Sequence, residues 1–253
     1  MSLDLPATLV LALLLTSTRA AAFLVLAPPF SSRAVPGTVK ALLAVAISLP
    51  VLPTVRGAVP ALDTAAVVSA VLIQVLTGAA LGFLCYLVFV AVQAAGDLID
   101  VFGGFSLAFA FDPLAQSGNA IFGRLYQWTA LTLLLASGGY TIVLQGFLRS
   151  YRAVGLDAGL NLGTLSAVLT GGVGQLVLAA LQIAAPLLAV LFLADVALGL
   201  LTRVAPALNA FALGPPFKIL LTLLTGSVVF VVLPHLVDLR VERMVATLGQ
   251  VLR

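Results

Sequence analysis

Polar residues are so scarce in this chain that each is a candidate for chemistry. Gln93, Asp97 and Asp100 stand at i, i+4 and i+7, the spacing of one helix face. They close a long apolar run, where lipid penalises a carboxylate, so the face meets water, a channel or a partner subunit. The plainer alternative is a solvated helix end. Asp195 and Arg203 are about two turns apart and can share a face near another helix end. A carboxylate inside an apolar helix points by default to ion coupling, with a tie to a neighbouring helix as the structural alternative. Asp97, Asp100, Asp195 and Lys218 are the residues a secondary transporter or ion channel would use.

The rest of the catalytic repertoire is thin. His235 is the single histidine and Cys85 the single cysteine. No cluster of His, Cys and carboxylate is therefore expected to hold zinc or a di-iron centre, and no disulfide framework is possible. His235 stands at the end of the last apolar run, as an interfacial side chain does. HExxH, GxxxxGK[ST] and a GxGxxG after a strand are all missing from the sequence. The expectation is a protein with no catalytic residues, no cofactor and no metal.

The most informative stretch is Gly103–Arg124, GGFSLAFAFDPLAQSGNAIFGR. Phe105, Phe109, Phe111 and Phe122 are bulky, whereas Asp112-Pro113 and Gln116-Ser117-Gly118-Asn119 carry turn chemistry. Irregular backbone at membrane depth is tolerated only where protein buries it or it lines a cavity. A bulky apolar loop inside a cavity is a plug. An ordinary surface loop is the alternative.

The elements that must position these residues are membrane helices. Apolar residues make up 62% and charged residues 8%, against roughly 25% charged in a soluble domain, and the mean hydropathy is +1.23. Twelve Lys/Arg against nine Asp/Glu leave a net charge of +3. The basic residues are scattered singly, with no stripe for nucleic acid. Six apolar helical segments are expected: Ala7–Leu26, Val39–Leu52, Ala65–Ala95, Arg124–Leu148, Leu165–Leu201 and Phe217–Val237. Pro50 and Pro53 should close the second, and Pro186 should kink the fifth. Arg149–Gly163 reads as a loop, and Thr202–Pro216 as a hairpin turn. The segment before Ala7 carries Asp4 and no basic residue, so a cleaved leader is not expected. Loop arginines and lysines divide almost evenly between the two sides, and charge bias sets no orientation. Gly78-Ala-Ala-Leu-Gly82 is a GxxxG spacing that lets two helix backbones approach, or an accident of an Ala/Gly-rich chain.

Several blocks in register carry a resemblance. They are Phe30-Ser-Ser-Arg-Ala-Val-Pro36 with Lys40, Ala95-Gly-Asp-Leu-Ile-Asp100, Phe111-Asp-Pro113, and Ala197-Leu-Gly-Leu-Leu-Thr-Arg-Val-Ala-Pro206 with Asn209-Ala-Phe-Ala-Leu-Gly214. Over nearly its whole length the chain resembles the FliR family of type III secretion export-gate proteins, whose injectisome cousins form the SctT group. It departs from the family at Pro215, where an aromatic is common. The resemblance implies an all-helical fold, with a FliP-like part over 1–163 and a FliQ-like hairpin with its tail over 164–253. It implies a hetero-oligomer with FliP and FliQ homologues, next to FlhB and FlhA homologues, in the bacterial inner membrane at the flagellar basal body. Unfolded exported proteins would be the substrate, and the Phe109–Phe122 region would help close the channel. Arg203, Pro206, Asn209, Gly214, Pro215, Pro216 and Lys218 would form a hairpin turn and partner contact on the cytoplasmic side, towards FlhB.

Overall fold

The computed structural model describes residues 6–32, 34–55, 57–105, 120–156, 162–205 and 212–226. Among them no strand occurs. The helices are α1 (Ala7–Leu26), α2 (Gly37–Ser48), a 3₁₀ turn (Leu49–Val51) leading into α3 (Leu52–Val55), α4 (Thr64–Phe102), α5 (Ile121–Ala136), α6 (Gly139–Ala153), α7 (Leu162–Val204) and α8 (Ala212–Gly226). Among the described residues four spans are long and apolar enough to cross a membrane: Ala7–Leu26, Gly37–Val55, Thr64–Phe102 and Leu162–Val204. The pair α5 and α6 makes a fifth if taken as one broken span, and α8 is a shorter apolar helix.

Several sequence expectations shift. Pro50 and Pro53 do not stop the second segment, because the chain tightens into a 3₁₀ turn at Pro50 and continues helical to Val55. The expected single helix Arg124–Leu148 is two helices. Gly138 between them has φ +73°, a left-handed conformation that glycine adopts without steric cost. The expected loop at Arg149 is still α6 as far as Ala153. Helix α7 runs from Leu162 to Val204 with Pro186 inside it, longer at both ends than the expected Leu165–Leu201. Gly214, Pro215 and Pro216 fall within α8 rather than in the turn, since the proline ring fixes φ near a helical value and its cost is the missing donor.

The described residues gather into two compact units. The first takes its residues from Met1–Leu87 and Gly138–Val173, the second from Val88–Ser137 and Gly174–Leu239. In the first, Leu15, Leu24, Phe23 and Phe147 are buried, and the two phenylalanine rings stack at 4.4 Å. Here the GxxxG spacing is used. A Cβ on Gly78 would collide with the carbonyl oxygen of Arg19, and one on Gly82 would lie 2.7 Å from the carbonyl oxygen of Phe23. Backbones of α1 and α4 meet at these glycines, as close helix packing between apolar segments requires. In the second unit α7 buries Ala180, Ala184, Leu187, Leu191 and Ala194 as one stripe, with spacings of three and four residues. Its other side leaves Phe192 and Leu193 about two-thirds exposed.

Candidate functional site

The acidic face at the end of α4 lies in the second unit, and its members differ. Gln93 and Asp97 are half-buried, whereas Asp100 is 3% exposed. Oδ2 of Asp100 accepts hydrogen bonds from the backbone N–H of Phe122 at 2.9 Å and of Gly123 at 3.1 Å. These N–H groups belong to the first turn of α5, whose donors have no partner within the helix. A carboxylate placed there also meets the positive end of the helix dipole. Oδ1 of Asp100 has no hydrogen-bond partner among the described residues.

The approach is close because glycines line it. A Cβ on Gly96 would sit 2.5 Å from the carbonyl oxygen of Phe122 and 2.6 Å from the Cα of Gly123, and one on Gly123 would collide with Oδ1 of Asp97. Aromatic contacts continue the seam. Phe105 meets Phe122 edge-on at 5.2 Å, and Phe122 meets Tyr126 edge-on at 6.2 Å. Helix α8 adds to it, since a Cβ on Gly103 would lie 2.8 Å from Oγ1 of Thr222 and one on Gly226 would lie 3.3 Å from the Phe122 ring. The two chain ends that flank 106–119 are thus joined by a carboxylate, a ring pair and a glycine crossing. Phe109, Phe111, Asp112, Pro113, Gln116, Ser117, Gly118 and Asn119 lie outside the described residues, as do Pro206 and Asn209.

Asp195 on α7 pairs with Lys218 on α8 as an ion pair. Its partner is therefore on the neighbouring helix, a tie between the two, and not Arg203 in the last turn of α7. Asp97 borders an apolar cleft of about 360 Å³ between α4 and α7, lined also by Leu98, Val101 and Val177. Among the described residues no group of three or more His, Cys, Asp or Glu could hold a metal ion.

Arg19 stands alone as a charge inside the apolar run Ala7–Leu26, and this residue organises the first unit. Its side chain is fully buried. Nε donates to Oε1 of Gln74 at 2.6 Å, Nη1 to the carbonyl oxygen of Ser150 at 3.0 Å, and Nη2 to that of Val154 at 3.0 Å. The guanidinium carbon sits 4.5 Å from the centre of the Tyr151 ring. Ser150 lies in the last turn of α6 and Val154 caps it; the Ser150 carbonyl also accepts the N–H of Val154 at 2.9 Å, and at this end of the helix the dipole favours a cation. Tyr151 returns a hydrogen bond to the carbonyl oxygen of Thr16 at 2.7 Å, and Nε2 of Gln74 donates to that of Leu156 at 3.4 Å. A signal for this site exists in the sequence: a lone arginine in an apolar helix must have a polar partner. The partners themselves, a glutamine and two backbone carbonyls far along the chain, have no pattern to find.

Arg19 and Gln74 in the first unit, and Asp100 and the Asp195–Lys218 pair in the second, each join one helix to another. Residues 10–244 match the family described as bacterial export proteins, family 1. The chain is 32% identical over 203 residues to flagellar biosynthetic protein FliR of Escherichia coli (strain K12), covering 79% of this chain and 77% of that one. It is 32% identical over 178 residues to the protein of the same name from Bacillus subtilis (strain 168), covering 68% and 69%. It is 30% identical over 149 residues to Yop proteins translocation protein T of Yersinia pestis, covering 57% and 56%. With a family match along most of its length, the helical chain whose polar residues brace one helix against another belongs to the bacterial export proteins, family 1.

Proposed function

We propose that the chain is a structural subunit of a type III protein export gate of the flagellar kind, without a reaction of its own. It assembles with FliP- and FliQ-like chains around a channel for unfolded flagellar subunits, beside FlhA- and FlhB-like proteins, in the inner membrane at the basal body. The part before residue 164 takes the FliP-like position and the remainder the FliQ-like hairpin. Flagellar relatives match more of the chain than the Yersinia relative does, 79% against 57%, which favours a flagellum over an injectisome. A transporter reading has less support, because Asp195 is engaged by Lys218 and Asp100 by the start of α5.

The observation that carries the reading is the joined base of 106–119. Phe105 and Phe122 act as the stem, and the segment between them closes the channel. Apolar side chains at a constriction exclude water and ions without a covalent seal. They yield to a passing polypeptide because each dispersion contact is weak. Deleting Ala110–Gly118 should leave co-purification with FliP- and FliQ-like chains intact while cells that overproduce the complex leak small ions and grow slowly. A deletion complex that assembles and stays ion-tight would overturn the plug. Failure of FliP- and FliQ-like chains to co-purify with the wild-type protein would overturn the gate.

A further inference from the structure

A groove in the first unit belongs to none of these contacts. It is a cleft of about 270 Å³ with Val51 and Thr54 on one wall and Gln145, Leu148, Arg149 and Arg152 on the other. Gln145, Arg149 and Arg152 follow one another at i, i+4 and i+7 along α6, one face of the helix. Ile142 precedes them by three residues and is also exposed, so the stripe begins apolar and ends cationic. Both arginines are exposed, and neither has a carboxylate within ion-pair distance among the described residues.

The opposite wall ends a membrane-length segment. Val51 and Thr54 close Gly37–Val55, one of the apolar spans. The helix that leads into this wall, α2, leaves Leu42 71% and Val45 40% exposed, and Leu49 in the 3₁₀ turn that follows is 53% exposed. The groove thus joins two guanidinium groups to the end of an uncovered apolar helix. An amphipathic anion fits both halves at once.

We infer that this groove binds the phosphate headgroup of an anionic phospholipid, with the acyl chains lying along α2. Guanidinium groups present parallel N–H donors that match phosphate oxygens, which gives them geometric as well as electrostatic preference for this group. Basic pockets at the ends of membrane helices recognise anionic headgroups on this basis. The amide of Gln145 supplies further donors beside the two arginines. A free phosphate ion would use the arginines and gain nothing from the apolar approach along α2. An acidic protein segment would leave that approach uncovered as well. Lipid binding at this groove is independent of the gate reading, since it requires only that the chain lies in a membrane.

The test is native mass spectrometry of the full-length protein, with whatever subunits co-purify, in a mild detergent. Phosphatidylglycerol and phosphatidylcholine of matched acyl chains are titrated in turn, and inorganic phosphate is then added as competitor. Each basic side chain near the surface contributes about fivefold to anionic lipid binding, so two give a preference for phosphatidylglycerol on the order of thirty-fold. Arg149→Gln with Arg152→Gln should abolish that preference, and Arg124→Gln on α5 should leave it intact. Equal retention of the two lipids by the wild-type protein would overturn the inference, and needs no variant to fold. Displacement of phosphatidylglycerol by equimolar inorganic phosphate would overturn it in favour of a free-phosphate site. Cross-linking of a co-purified subunit's acidic segment to Arg149 or Arg152, with no lipid retained, would overturn it in favour of a protein interface.

Discussion

Replacing Arg19 separates two accounts of a buried cation. If the guanidinium is stabilised by the carbonyl end of α6, its three donor nitrogens matter individually, because Nε, Nη1 and Nη2 each serve a different acceptor. Arg19→Lys keeps the charge but concentrates it on one nitrogen, which cannot reach Gln74 and both carbonyls together. At least one charge-assisted hydrogen bond is lost, at about 1.5–3 kcal/mol, along with the stacking on Tyr151, at about 0.5–2 kcal/mol. The sum, about 2–5 kcal/mol, lowers the melting temperature of a chain this size by on the order of 10 °C. Arg19→Met removes the charge and fills similar space. The carbonyl of Ser150 keeps the N–H of Val154 at 2.9 Å, but Oε1 of Gln74 and the carbonyl of Val154 lose their guanidinium donor, at about 1–3 kcal/mol each. Against this stands the recovered cost of desolvating a cation, which can make an apolar replacement neutral or stabilising. Both variants should melt below wild type in differential scanning fluorimetry of the detergent-purified protein. Should Arg19→Met melt at or above wild type, the carbonyls and helix dipole do not compensate the buried charge, and stabilisation by the end of α6 is refuted.

The other predictions concern the second unit. Asp100→Ala deprives the start of α5 of its acceptor and should cost about 1–3 kcal/mol; Asp100→Asn, whose amide oxygen can still accept, should cost less than half as much, and equal melting shifts would refute the capping role. Gly96→Val places atoms against the backbone of Phe122 and Gly123 and should sharply reduce the amount of folded protein seen on immunoblots. Gly199→Ala, where nothing lies within 4 Å of the added Cβ, should be neutral or slightly stabilising; similar losses for both would mean that helix crossing is not what Gly96 provides. Lys218→Gln breaks an ion pair whose side chains are 20% and 48% exposed and should cost less than about 1 kcal/mol, so a melting shift as large as that of Arg19→Lys would show the pair to be far better shielded.

The sequence alone determined the solvent this protein lives in and most of its helices. A chain with 8% charged residues cannot cover itself for water, and in apolar runs longer than a bilayer the helix satisfies every backbone polar group within the segment. The bounds of α1, Ala7–Leu26, are those its composition and Pro28-Pro29 dictate. The acidic spacing at Gln93, Asp97 and Asp100 was legible for the same reason: a carboxylate in an apolar helix is costly and stands out. What it was for was not legible. The Asp100 partners are backbone N–H groups, which every residue but proline carries, so the sequence does not mark them, although the close approach needs glycine at 123. Arg19 is the same case at the other end of a helix, bound to carbonyls that every residue carries. Only in the tertiary structure do the N–H and C=O groups at one helix end meet the side chain of another helix, and there the partners of Asp100 and Arg19 are decided.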